Sequence, residues 1–291
     1  MTQADRRGRA VLYGTFVLAT IVFLFPYYWL ATNALKSEER IFTAPPGLLP
    51  YLSDGPADHD EGIFFKPELS NFRDIFAKTP FARAFVNSVV IAVGHVALSL
   101  FLCSLGGYAF AKAHRAPGRD ALFKFVLGTM LIPSAVTTIP VLVIMSRLGL
   151  MNTYWAMILP GAASAFGIFW MRQYIASNVP DELLEAARLD GCSEFSIYWR
   201  VVVPAIKPAL GALAIMVLIG CWNNLMWAFI MLRTENMYTL PMLIFMLQGE
   251  QKTDYGMVMA GGLLATLPLV IAFLVFQRSF IAGITAGAVK A

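Results

Sequence analysis

No aspartate or glutamate lies near the middle of any long apolar run in this 291-residue chain, and charged residues of both signs make up only 14% of it. Carriers driven by protons or sodium hold the ion with buried carboxylates or with broken helix ends, so the missing acids argue against ion-coupled transport. The sequence also lacks a G-x-x-x-x-G-K-[ST] stretch to cradle nucleotide phosphates. It has no H-E-x-x-H, no intramembrane aspartate pair and no serine–histidine pair of the kind an intramembrane protease needs. If the chain moves a solute against a gradient, another chain supplies the energy. Cysteine is scarce: Cys103, Cys192 and Cys221 are odd in number and none is spaced with histidines as metal ligands would be, which argues against a disulfide framework and a zinc site. The ten-residue alternation of a membrane β-barrel is missing too, as are long internal repeats and low-complexity segments.

What the chain has in quantity is apolar sequence: 58% of its residues, with a mean hydropathy of +0.66. A hydrocarbon core about 30 Å thick takes roughly 20 apolar residues per helical crossing. Six stretches meet that length, near residues 11–31, 84–106, 122–145, 153–175, 209–231 and 256–277. The expected fold is therefore all-α, a polytopic membrane protein of six transmembrane helices. Arg6, Arg7 and Arg9 precede the first stretch. Lys112, Arg115 and Arg119 follow the second, Arg172, Arg188, Arg200 and Lys207 the fourth, and Arg278 and Lys290 the sixth. The short alternate connections carry fewer, with Arg147 after the third stretch and Arg233 and Lys252 after the fifth. The long 33–82 loop holds basic residues but more acids, and it is of a length that crosses largely regardless of charge. The positive-inside rule then places both termini in the cytoplasm. The first stretch has a basic flank without a small-x-small cleavage site and reads as a retained anchor. The net charge of +4 reflects these inner loops and is no argument for nucleic acid.

Residues 1–82 comprise the N-terminus, the anchor and a long external loop, and residues 83–291 form the remaining domain. The loop carries Asp54, Asp58, His59, Asp60 and Glu61, out of the order a calcium loop requires. It reads as a solvated loop, with metal binding or partner docking as the alternatives. A short helix is expected at "NFRDIF". Small residues in "SLGGYAFAKAH" favour close helix approach. Pro133, Pro140, Pro160 and Pro268 fall inside the third, fourth and sixth stretches and imply fixed bends or, alternatively, hinges.

Within the stretches, His95 is the one titratable group at mid-span, either hydrogen-bonded to a neighbouring helix or facing a pore. Asn223 and Asn224 in "GCWNNLMWAFIM" stand beside Trp222 and Trp227. Amides with indole faces suit sugars, yet asparagines also join transmembrane helices, and both readings stand.

The most informative stretch lies between the fourth and fifth crossings: "VPDELLEAARLDG", then "SEFSIYWRVVVP". The first part predicts a short helix capped by Asp181 or Asn178, with Glu182 at its positive end. Leu183, Ala186 and Ala187 form a narrow apolar stripe, and Glu185 and Arg188 are spaced to pair. Gly191 is placed to end the helix in the left-handed conformation, and Ser193 to cap a second helix running to Pro204. Such a bent, rigid element suits insertion into another protein's groove, or else lies on its own bundle or on lipid.

"EAARLDG" followed by "VVVPAIKPAL" resembles the EAA signature of permease subunits in bacterial ATP-binding-cassette importers. "NSVVIA", "GGYAFAKAHRAPGRDALF", "MLIPSAVTTIPVLVIMSRLGLMNTYWAMIL", "CWNN", "TLPMLI" and "FIAGITAGAVKA" resemble the sugar-importer branch, specifically the maltose-type second permease subunit. The resemblance covers almost the whole chain. It implies the type I importer permease fold in a bacterial inner membrane, and a carbohydrate import function without enzymatic activity on this chain. Its implied partners are a second, different permease subunit, an ATPase dimer that binds ATP and magnesium, an extracytoplasmic solute-binding protein and membrane lipid. It implies that Glu185, Ala186, Ala187, Asp190 and Gly191 couple the chain to the ATPase, and that the glycine-rich tail reaches the ATPase interface; without it the tail reads as a frayed terminus. The substrate path is expected at Trp222, Asn223, Asn224 and His95. Asn224 stands where such subunits often carry an acid. A phosphorylated polyol such as glycerol phosphate as cargo, or a carrier working alone, are the competing readings.

Overall fold

The computed structural model describes residues 3–42, 67–114, 116–249 and 253–288. The acidic cluster from Asp54 to Glu61 lies outside them. Every regular element among the described residues is helical. Among the described residues, three helices are long and apolar enough to cross a membrane: α1 (Gln3–Ala34), α4 (Phe81–Lys112) and α15 (Tyr255–Ala288). Pro26 and Pro268 lie inside α1 and α15 without ending them. The α15 backbone carries the glycine-rich tail as helix to Ala288.

The other three apolar stretches are broken, the third and fourth at prolines where bends are expected and the fifth where none is. The third divides into α5 (Arg119–Thr129) and α6 (Ser134–Arg147), bent by 102° where Pro133 stands at the helix start. The fourth divides into α7 (Tyr154–Ile158) and α8 (Ala165–Asn178) around Pro160, and Ser164 restarts the chain by accepting the Gly167 N–H at 3.0 Å. The fifth ends α12 (Lys207–Trp222) at Asn223, and Asn224 Oδ1 caps α13 (Leu225–Met231) by accepting the Trp227 N–H at 3.1 Å. Counting bent pairs as single spans, up to five crossings satisfy length and composition. The breaks have two local causes: proline removes a backbone donor at Pro133 and Pro160, and the Ser164 and Asn224 side chains offer the backbone another partner.

Two compact units divide the chain: Met1–Phe81 with Leu243–Leu267, and Ala82–Met242 with Pro268–Ala291. In the first unit, short α2 (Glu38–Ile41) follows α1, and α3 (Ser70–Lys78) contains the expected "NFRDIF" helix. Asn71 Nδ2 donates to the carbonyls of Ala34 at 2.9 Å and Lys36 at 2.8 Å, closing the end of α1. Lys36 Nζ donates to Asn33 Oδ1 at 3.0 Å and lies over the Trp29 ring. Burial holds its pKa below the usual lysine value.

In the second unit, one core joins Cys103, Tyr108 and Ala111 of α4 to Met171 and Ile175 of α8, and to Leu184, Ile197, Tyr198 and Leu213 further along. The glycines of "SLGGYAFAKAH" permit this. A Cβ on Gly107 would stand 2.8 Å from the Arg172 backbone nitrogen, so only glycine lets α4 lie this close to α8. A second core gathers Ile91, Met145, Met157, Ala228 and Met231. Asn152, at φ 59°, pins two turns together: its N–H donates to the Met231 carbonyl at 2.9 Å, and its Oδ1 accepts from the N–H groups of Arg233 and Thr234.

Candidate functional site

The hairpin between the fourth and fifth apolar stretches is built as two short arms. The first, α9 (Asp181–Leu189), starts after Pro180. Contrary to the expected caps, no side chain caps it; Asn178 donates instead to the Tyr174 carbonyl, and Asp181 is engaged elsewhere. Gly191, at φ 79°, ends the arm. Its N–H donates to the Arg188 carbonyl and the Cys192 N–H to the Ala187 carbonyl, both at 3.0 Å, the paired bonds of a Schellman stop. Ser193 then caps the second arm as expected, its Oγ accepting the Ser196 N–H at 3.3 Å. That arm comprises α10 (Glu194–Ile197), a π-helical turn over Tyr198–Val202 and α11 (Val203–Ala205). The π turn falls just before Pro204, whose ring disfavours continued α geometry.

Charge clamps the arms to one another and to α4. Arg188 does not pair with Glu185 as spacing suggested. Its Nε donates to Glu194 Oε1 at 2.7 Å and its Nη2 to Oε2 at 3.3 Å, across the bend. Tyr108 of α4 donates its hydroxyl to Glu194 Oε2 at 2.8 Å. Lys112, at the end of α4, donates to Asp181 Oδ1 at 2.7 Å and to the Val179 carbonyl at 2.6 Å. Lys112 holds the Asp181 carboxyl below the usual carboxylate range.

The hairpin has two unlike faces. Leu184, Ile197 and Tyr198 are buried in the core, and Ala187 packs beside them. Of the expected stripe only Ala187 packs on the inner face, beside Leu184, while Leu183 and Ala186 are exposed. Facing outward are Glu185, Ala186, Asp190 and Gly191, with Leu183 at 52% exposure and Leu189 at 90%. A cavity of about 780 Å³ opens between the end of α4 and the hairpin, lined by Tyr108, Lys112, Glu185, Arg188 and Glu194 among others.

The polar mid-span residues gather around the two helix breaks. Pro160 has no N–H to offer the carbonyl of Ala156, its partner four residues back. Trp227 supplies the donor instead, with Nε1 at 3.0 Å from that oxygen. His95 Nδ1 lies 2.8 Å from the Ile158 carbonyl at the same break. Carbonyl oxygen only accepts, so Nδ1 carries the hydrogen, and in the neutral ring Nε2 is then an acceptor. His95, Asn224 and Trp227 line a cavity of about 480 Å³ with Ser99, Ser134, Thr137, Thr138 and Ser164. Trp222 is buried and Asn223, which donates to the Ile219 carbonyl, is exposed; neither lines this cavity. Ser99 went unremarked in the sequence. Its signal was its position, four residues after His95 on one helix face.

Comparison with known proteins agrees with this architecture. Residues 104–285 match the family model described as "Binding-protein-dependent transport system inner membrane component". The chain is 35% identical over 276 residues to the arabinooligosaccharides transport system permease protein AraQ of Bacillus subtilis (strain 168), covering 94% of this chain and 93% of that protein. It is 32% identical over 291 residues to the lactose transport system permease protein LacG of Rhizobium radiobacter, covering 100% of both. Its fold matches a chain in the crystal structure of a bacterial ABC transporter involved in the import of the acidic polysaccharide alginate. The TM-score is 0.79 at 24% identity, covering 96% of this chain and 99% of that one. The chain belongs to the family of inner membrane components of binding-protein-dependent transport systems.

Proposed function

We propose that this chain is one of two different permease subunits of an ATP-driven importer for neutral oligosaccharides. It forms half of the translocation path and is coupled to a separate ATPase dimer through the α9–α10 hairpin. The observation that carries the coupling role is the hairpin's asymmetry. Its inner face is buried in the bundle and clamped by Arg188–Glu194, Tyr108–Glu194 and Lys112–Asp181, while Ala186, Leu189 and Gly191 stand outward. Displacing 1:99 to 99:1 in a gate takes about 5.5 kcal/mol of differential binding. A mobile loop dissipates such a bias, whereas a stopped, clamped hairpin passes it to α4 and α8. Glu185, Ala186, Ala187, Asp190 and Gly191 form the ATPase-facing element in this reading.

The carbohydrate cargo is supported by the relatives' names and by the cavity lining, in which hydroxyls, an amide and an indole occur with no lysine, arginine, aspartate or glutamate. An anionic cargo such as glycerol phosphate needs cationic side chains there. The orientation follows from the arginine and lysine distribution: both termini and the hairpin are cytoplasmic. A soluble binding protein delivers solute from the other side, and ATP and magnesium are bound by the ATPase, not by this chain.

The test is the assembled complex in liposomes with Gly191→Val. A branched residue at φ 79° costs on the order of 1–3 kcal/mol, strained at the bend alone. The expected result is ATP hydrolysis that persists while uptake of lactose or arabinotriose falls at least tenfold. Uptake at the unaltered rate would remove the coupling role.

A further inference from the structure

Arg172 stands on α8 about 9 Å short of the helix end at Asn178, by the helical rise. Three helices meet at its guanidinium. The Cζ lies 5.0 Å from the centroid of the Phe123 ring of α5, and Phe123 packs on Phe110 of α4 with centroids 5.2 Å apart. Nη1 donates to Gln173 Oε1, a neutral group. Nε is buried and has no partner among the described residues. Nη2 makes no hydrogen bond among them either, and it is not enclosed. Lys112, Arg119 and Arg188, at the same end of the bundle, each hold a carboxylate, in Asp181, Asp120 and Glu194. Arg172 has none among the described residues. A half-buried guanidinium answered only by an amide and a ring face keeps most of its charge uncompensated.

We propose that Arg172 Nη2, with Lys124 of α5, binds the phosphate of an anionic phospholipid in the cytoplasmic leaflet. The inference rests on the orientation given above and adds a partner that the transport reading does not name. Depth supports it. Phe123 lies about 6 Å past the start of α5 at Arg119, so the ring and the guanidinium stand at similar distances from the cytoplasmic helix ends. The headgroup zone is about 5–7 Å thick on each side of the hydrocarbon core, and an arginine stem spans the remainder by reaching toward it. Lys124, next to Phe123, is exposed and pairs with no acid among the described residues. Asp120, the acid one turn before it, is taken up by Arg119 at 2.9 Å. Leu122 and Phe125 flank the pair in sequence at 56% and 69% exposure, an apolar surface that suits acyl chains and not a free anion. The guanidinium is already held by Phe123 and Gln173, so little side-chain freedom is lost when a phosphate arrives. Bound there, the lipid ties α5 to α8 near the base of the hairpin.

The experiment uses the whole complex in phosphatidylcholine vesicles containing phosphatidylglycerol with a photoactivatable headgroup. After illumination, crosslinked peptides of this subunit are mapped and quantified. Label is expected on α5 and α8 around Phe123 and Arg172. Unlabelled phosphatidylglycerol should displace it, whereas added phosphatidylcholine or dissolved inorganic phosphate should not. Arg172→Gln is expected to lower the labelling about fivefold, the worth of one basic side chain at an anionic leaflet. Arg172→Lys keeps the charge without the planar fork and is expected to retain about half. If Arg172→Gln fails to assemble, Lys124→Gln on the surface replaces it, with an expected loss of about two- to fivefold. Undiminished labelling in the variant, or displacement by phosphatidylcholine as good as by phosphatidylglycerol, overturns the proposal. So does an unlabelled site in the unaltered complex, which would mean that a protein partner covers Arg172, and so does displacement by inorganic phosphate. Uptake of lactose or arabinotriose by the same vesicles is scored separately: its absence removes the oligosaccharide reading and leaves the lipid result standing.

Discussion

Trp227 donates its indole N–H to the carbonyl of Ala156 at 3.0 Å, the acceptor that Pro160 deprives of its own helical partner. A break in one helix is thereby made good by a side chain from another, as a membrane interior without water demands. The two residues are 71 positions apart in sequence. The bond holds the α7–α8 break against the start of α13 and gives the cavity a fixed wall.

Trp227→Phe leaves the ring's bulk and removes the donor. Ala156 is fully buried, so the orphaned carbonyl should cost about 1–3 kcal/mol, measurable as a lower denaturation midpoint in detergent. In a Pro160→Ala background the backbone can supply its own N–H, and the same tryptophan change should cost markedly less. Equal losses in both backgrounds would contradict the pairing of cause and repair described here.

Neighbouring glycines on α4 should respond unequally to alanine. A Cβ on Gly107 meets backbone: the Arg172 nitrogen at 2.8 Å and the Met171 carbonyl carbon at 2.9 Å. At Gly106 it meets only the Ile168 side chain, at 3.4 Å. Gly107→Ala is expected to destabilise the protein by about 1–3 kcal/mol, and Gly106→Ala to leave it nearly unchanged. Thermal melting of the two variants side by side checks the ordering.

The Lys112–Asp181 contact gives a pH dependence whose sign is fixed. Lys112 lowers the Asp181 carboxyl pKa in the folded protein. The pair's contribution is therefore fully present above the unfolded value of about 3.9 and is lost as pH falls through the lower folded one. Asp181 is 53% exposed at its side chain, so the gain is modest, under about 1 kcal/mol. Asp181→Asn should melt slightly below the unaltered protein at neutral pH, and the two curves should converge as the pH falls below the usual carboxylate range and through the lowered folded value. A gap that persists at low pH would assign the loss to something other than this charge pair.

Chain order alone settled the helical class, the membrane setting and the position and hinge of the hairpin. Composition forces an all-helical solution where no water satisfies the backbone, and Gly191 and Ser193 act within a few residues of themselves. Pro160 likewise announced a bend. Local pattern was less informative at Asn223 and Asn224. An asparagine in an apolar run reads equally as helix interior or as cap, and only the α12–α13 break makes Asn224 a cap.

What required the tertiary structure was every pairing between distant segments. Spacing pointed Arg188 at Glu185, but the sharp turn at Gly191 brought Glu194 onto its guanidinium. Leu184, not Leu183, faces the core because the angle of α9 on the bundle, not its periodicity, chooses the buried side. Ser99 looks like any small residue of a membrane helix until α4 is set against two broken helices. Short-range backbone chemistry is written in neighbouring residues, whereas which side chain answers which orphaned group depends on packing that brings together positions far apart along the chain.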